Sequence, residues 1–181
     1  MKPYQPEGVW AAVAMPNSNT KLYKADIGDK LYRRSLYTFW KRAAPPVSME
    51  IFNAPSREVC TVQRERTNTP LQALVTLNDP QLVEAARNLA QMAMEEALHT
   101  EARIDFMTRA ILSRHFNQEE KKIGLESFSI YADFYRQNLE EANQLIQMGE
   151  TQSDPGVNAG QLAAWTMLAN QLFNLDEALN K

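Results

Sequence analysis

Cysteine is almost absent from this chain: Cys60 is the one thiol in 181 residues. That excludes an internal disulfide framework and any multi-cysteine zinc or haem-attachment motif. Histidine is nearly as scarce, and His99 and His115 have no carboxylate at the spacing of a His-Glu-x-x-His zinc site. No stretch approaches the roughly 18 uninterrupted apolar residues of a membrane span. Met1-Lys2-Pro3-Tyr4 also lacks the charged, apolar, small-residue order of an export signal. What is present is ordinary for one folded domain or domain fragment: 44% hydrophobic and 23% charged residues. No catalytic, metal or nucleotide motif is complete, so no cofactor and no catalytic residue are assigned.

Charge is small in total and uneven in place. The net value is -3, yet residues 1 to 66 hold 11 Lys and Arg against 6 Asp and Glu, whereas the remainder holds 8 against 16. Such polarity suits an anionic partner for the first part, and equally suits docking of the two parts on each other.

Eight of nine prolines fall within the first 80 residues and break that region into short extended or turn pieces. Between them, the aromatic and β-favouring run Tyr32 to Lys41 reads as a strand, and Val59 to Arg64 as a second extended piece that pairs with it in a small ribbon. From Thr69 the signals turn helical. Thr69-Pro70 and Asp79-Pro80 each set a capping residue before proline at the first helical position, which predicts helices over 70–77 and 80–98. Leu82, Ala86, Leu89, Ala93 and Ala97 form the expected packing stripe of the second. A helix over 101–114 follows, with Ile104, Met107, Ile111 and Leu112 inward. Asn117 with Glu120 resembles a capping box and opens the longest helix, whose seam runs Leu125, Phe128, Ala132, Tyr135, Leu139, Ala142, Ile146. Residues 149 to 158 read as a loop. Leu162, Trp165, Ala169 and Leu172 line a last helix facing that seam. The expected fold is mainly α: an antiparallel helical bundle (69–181) with a Pro-rich irregular N-terminal part (1–68) containing a short β ribbon.

Chemistry concentrates between Ser56 and Pro80. Cys60 with a histidine as base would make a thiolate nucleophile, and Arg57, Arg64 and Arg66 would supply positive charge. Against this, a lone cysteine in an alternating segment is commonly a small buried apolar residue. The basic aromatic run Leu31 to Arg42 has the mixture that stacks bases and holds phosphates, but a pI near 5.5 and the acidic remainder disfavour nucleic acid. Arg64, Glu65, Arg66, Asn68, Gln72, Asn78 and Asp79 form a dense polar set beside two helix starts. Two readings of it stay open. The set holds a small anion or a carbohydrate, or it is structural, with Glu65 bridging arginines while Asn68 and Thr69 cap a helix.

R-R-S-L-Y-T-F-W-K-R at 33–42, N-A-P-S-R-E-V-C-T-V-Q-R-E-R-T-N-T-P-L-Q-A-L-V-T-L-N-D-P at 53–80 and A-W-T-M-L-A-N-Q-L-F-N-L-D-E at 164–177 resemble the C-terminal domain of unknown function in large planctomycete-type secreted proteins. Those proteins often carry an N-terminal cytochrome c domain. The resemblance extends along nearly the whole chain but corresponds only to the C-terminal part of that domain, and Gln63 stands where the family often has Arg. It implies a periplasmic or extracellular parent protein of unknown activity. It transfers no catalytic residue and no haem. The expected function is a non-catalytic interaction or scaffold module whose partner is the upstream portion of its own domain or another protein. The alternative is the C-terminal part of a carbohydrate- or anion-directed enzyme completed by that upstream portion.

Overall fold

A computed structural model describes residues 1–19 and 21–180. The chain divides into two compact units, Met1–Gln72 and Ala73–Lys181.

The first unit has little regular structure. It holds helices α1 (Val9–Ala12) and α2 (Val47–Ile51) and tight helical turns at Gly28–Lys30 and Ser35–Tyr37. Its small core forms on Trp10, which is buried beneath Tyr23 (ring centroids 4.7 Å apart), Phe39 (5.6 Å) and the Lys41 ammonium (4.7 Å). Edge-on aromatic contacts of this kind contribute about 0.5–1.5 kcal/mol beyond the area they bury. The Tyr23 hydroxyl donates to the Pro3 carbonyl, and burial together with the nearby Asp26 carboxylate pushes the phenol up to about 12.

The expected β ribbon is not there: the described residues contain no strand. The backbone groups of the aromatic run are used differently. Tyr37 and Thr38 donate to Arg34 and Ser35 and close a tight turn. Phe39 N–H donates to the Met1 carbonyl, and the terminal ammonium donates to the Tyr37 carbonyl. The N-terminus thus takes the bonds a ribbon partner would need. Residues 59–64 gain nothing by pairing, because Val59 (71%) and Val62 (fully) are exposed and bury no face.

The second unit is a helical bundle. Its elements follow α3 (Pro70–Asn78), which contains the unit boundary: α4 (Pro80–Glu96), α5 (Thr100–Leu112), α6 (Gln118–Gln137), α7 (Leu139–Ile146), α8 (Ala159–Phe173) and α9 (Asp176–Leu179). Helix α8 contains no charged residue and is buried almost all round, so it forms the centre against which α4, α6 and α7 pack. Leu162, Trp165, Leu168 and Leu172 are each at most 4% exposed, and burying each contributes about 1.5–3 kcal/mol. Phe128 stacks on Trp165 at 3.9 Å. A Cβ on Gly160 would lie 3.1 Å from the Tyr135 carbonyl, so a small residue is needed where α8 begins.

Two details depart from the periodicity. The buried face of α4 is Val83, Ala86, Ala90 and Ala93, rotated by about a residue from the expected stripe. The expected long helix breaks at Asn138, whose side-chain amide donates to the Phe134 carbonyl, so the seam continues on α7 with Leu139 exposed.

The rotation of α4 has a physical cause. It turns Glu84 and Arg87 inward, at 2% and 0% exposure, onto the turn after α7. The Arg87 guanidinium donates to the carbonyls of Ile146 (2.6 Å), Met148 (3.1 Å) and Thr151 (2.7 Å). The Glu84 carboxylate accepts from the N–H groups of Glu150 (3.2 Å) and Thr151 (2.8 Å), and the two charges are 3.8 Å apart. Dehydrating each ion costs several kcal/mol. Charge-assisted bonds of about 1.5–3 kcal/mol each offset that. The pair therefore adds little net stability and chiefly fixes the path of residues 146–151. Gly149 sits in this turn at φ +96°, where a Cβ would fall 2.5 Å from Glu84 Oε2.

Candidate functional site

The polar set at Arg64 to Asp79 is built around the starts of α3 and α4. Thr69 precedes Pro70, and its N–H donates to Gln72 Oε1 (2.9 Å) while its Oγ1 accepts from Gln72 N–H (3.3 Å). This reciprocal arrangement is a capping box. Gln72, 2% exposed, also donates from Nε2 to the Ile51 carbonyl (2.9 Å) and to Thr67 Oγ1 (2.7 Å), and the same hydroxyl accepts from Asn53 Nδ2 (2.7 Å). Gln72 thereby ties α3 to the end of α2.

Asn78 and Asp79 lie on the second unit. Asn78 Nδ2 donates to the Leu74 carbonyl (2.8 Å), closing the last turn of α3. Asp79 caps α4 by accepting from Gln81 N–H (2.9 Å), and burial lifts its carboxyl above the usual value, partly offset by the N–H groups of Gln81 and Leu82. Three of the seven candidates are thus spent on helix ends.

The remaining four are not. Arg64, Glu65, Arg66 and Asn68 are exposed, and Arg64, Glu65 and Arg66 make no ion pair among the described residues. Glu65 does not bridge the arginines; its main-chain carbonyl accepts weakly from Asn53 (3.5 Å). Asn68 does not share the capping, because Thr69 and Gln72 complete it. The other arginine of the block, Arg57, stacks on Trp40 at 4.9 Å and donates to the Thr38 carbonyl (3.3 Å). Cys60 is exposed. His115 Nδ1 lies 3.5 Å from Asp105 Oδ1, whose carboxylate also takes Lys121 (2.8 Å).

An apolar groove of the helical unit has other walls. A cavity of about 290 Å³ opens between α6, α8 and α9, floored by Leu168 and Leu172 and flanked by Phe116, Ile123 and Leu175. At its mouth Arg114 holds Glu120 through two bonds of 2.9 Å and Glu177 through bonds of 2.8–3.1 Å. Arg114 and the Asn117 N–H lower the Glu120 carboxyl to about 2, and the two carboxylates raise the Arg114 guanidinium. Sequence reasoning found Glu120 only as half of a capping box; Arg114 and Glu177 carried no local signal.

Among the described residues no three His, Cys, Asp or Glu side chains group as metal ligands, and no helix is long and apolar enough to cross a membrane. The arrangement defines a mainly helical chain in which Gln72, Asp79, Glu84 and Arg87 close helix ends and turns. The family model described as "PSD1: Protein of unknown function (DUF1553)" matches residues 1–128, and the chain belongs to that family. No curated protein and no solved structure matches it.

Proposed function

We propose that this chain is a non-catalytic interaction or scaffold module, with the N-terminal unit as its docking surface. The observation that carries the proposal is exposure. Tyr32 (54%), Leu36 (70%) and Tyr37 (60%) stand in solvent within six residues, with the exposed Arg33 and Arg34 between them. Large apolar groups displayed together are a feature of binding surfaces. The Trp10 indole N–H and the Thr38 hydroxyl are also buried without a hydrogen-bond partner among the described residues. Such groups ordinarily have partners. The partner is the upstream portion of the family's domain or another protein, in the periplasmic or extracellular setting of planctomycete-type, cytochrome c-linked parents that the resemblance implies.

Without that partner the uncovered apolar groups should pair with those of a second copy, so sedimentation velocity on the full chain tests this. Association that grows with concentration, and that Leu36→Ser with Tyr37→Ser reduces, is the expected result. A clean monomer throughout would overturn the docking surface. One observation favours a second reading: Arg64 and Arg66 are exposed and make no ion pair among the described residues, as a carbohydrate- or anion-directed site would have them. Calorimetric titration with sulfate, phosphate and acidic oligosaccharides tests it, and an absence of heat that depends on both arginines removes it.

A further inference from the structure

The groove between α6 and α8 has a continuation that the bundle does not use. On the outer side of α6, Ile123 (60%), Ile130 (67%) and Phe134 (50%) are exposed at spacings of seven and four residues. At 1.5 Å per residue they mark a strip roughly 16 Å long. Ile123 is also a wall of the 290 Å³ cavity, so strip and cavity form one apolar track.

Charge decides what fits it. Glu119, Glu126 and Asp133 are exposed and recur every seven residues, each three or four from an exposed isoleucine. Asp133 carries a salt bridge to Arg136 (3.1 Å), while Lys122 and Arg136 lie farther round the helix. At the cavity mouth the N–H groups of Arg114 are taken by Glu120, Glu177 and the His115 carbonyl. Asp176 adds another carboxylate there. An anion would have to displace those carboxylates, whereas a cation meets a mouth where Glu120, Asp176 and Glu177 outnumber the Arg114 guanidinium. Apolar residues at heptad spacing beside an acidic row are what a second helix with a basic row recognises.

We propose that the α6–α8 groove binds an amphipathic helix of a partner protein, with aliphatic or aromatic side chains at i, i+3 or i+4 and i+7 and a flanking row of Lys or Arg. This surface lies on the helical unit and its assignment stands apart from that of the N-terminal unit.

The probe is a fluorescein-labelled synthetic helix with Leu at those positions and Lys on its flank, titrated with the full chain and read by anisotropy. Comparison peptides have the same composition in scrambled order, or Glu in place of Lys. Saturable binding at least about ten-fold tighter than to either comparison peptide is expected. Ile130→Ser and Glu126→Lys should each weaken it by about ten-fold or more, while Leu98→Ser, at a still more open site of the same unit, leaves it unchanged. Circular dichroism checks that each variant folds. Equal binding of the scrambled peptide, no saturable binding, or indifference to both groove variants overturns the proposal. So does a loss of self-association on Ile130→Ser, which would make this face an interface between copies of the chain.

Discussion

Replacing Gly149 by alanine tests the buried pair that sets the register of α4. Two costs arise at once. The backbone at φ +96° disfavours any side chain by about 1–2 kcal/mol. The new Cβ would stand 2.5 Å from Glu84 Oε2 and 2.7 Å from Glu84 Cβ, so Glu84 must shift, an overpacking cost of about 1–3 kcal/mol. The expected loss is about 2–5 kcal/mol, a large share of a domain's stability. Urea unfolding followed by far-ultraviolet circular dichroism measures it. A double-mutant cycle with Glu84→Ala separates the terms. In that background the contacts with the carboxylate at 2.5 and 2.6 Å are gone while the 2.7 Å approach to the Cβ of residue 84 remains, so Gly149→Ala should cost less than in the native background, giving a coupling of at least about 1 kcal/mol. Glu84→Ala alone should cost about 3–5 kcal/mol by leaving Arg87 buried without its counter-charge. A loss below about 1 kcal/mol for Gly149→Ala, or strict additivity with Glu84→Ala, would refute the contact.

Other outcomes follow from the same structure. Gln72→Ala should destabilise the chain by about 1–3 kcal/mol, because it leaves Thr69 N–H and the Ile51 carbonyl without their partner, whereas Arg64→Ala and Arg66→Ala should stay within about 0.5 kcal/mol; thermal melts that rank them otherwise contradict the division between capping and free residues. Gly124→Ala should stabilise by about 0.5–1 kcal/mol, since its added Cβ meets Ile104 at an ordinary 3.5 Å and helix entropy favours alanine; a lowered melting temperature would show a tighter site. The Glu120 carboxyl is held at about 2, below its usual 4.5, so its contribution is fully present above pH 4.5 and is lost as pH falls toward 2. Glu120→Gln should remove that part of the acid dependence, and an unchanged acid-unfolding profile would argue against the Arg114 pairing.

The helical part was legible because its signals are local. Asp79-Pro80 and the Asn117/Glu120 box cap helices as the residue types predict, and the seam and the α8 stripe meet at Phe128 and Trp165. The ribbon was misread because β propensity at Tyr32 to Lys41 reports a preference for pleated, half-buried surroundings, and residues 32–37 are exposed while the Tyr37 carbonyl and Phe39 N–H are bonded to the chain terminus. Glu84 and Arg87 were invisible for a different reason. Three apart on a helix, they have the pattern of a surface ion pair, and only the turn at 146–151 buries them. Around the candidate set, capping by Thr69 and Asp79 was read from their place before proline, while the role of Gln72 and the openness of Arg64 and Arg66 depend on where the loop runs.

Hydrogen exchange on the full chain, compared at low and high protein concentration, tests the central claim most directly. If the N-terminal unit is a docking surface, residues 32–39 gain protection as concentration rises, and Leu36→Ser with Tyr37→Ser abolishes the gain. Protection there that does not change with concentration would contradict the claim.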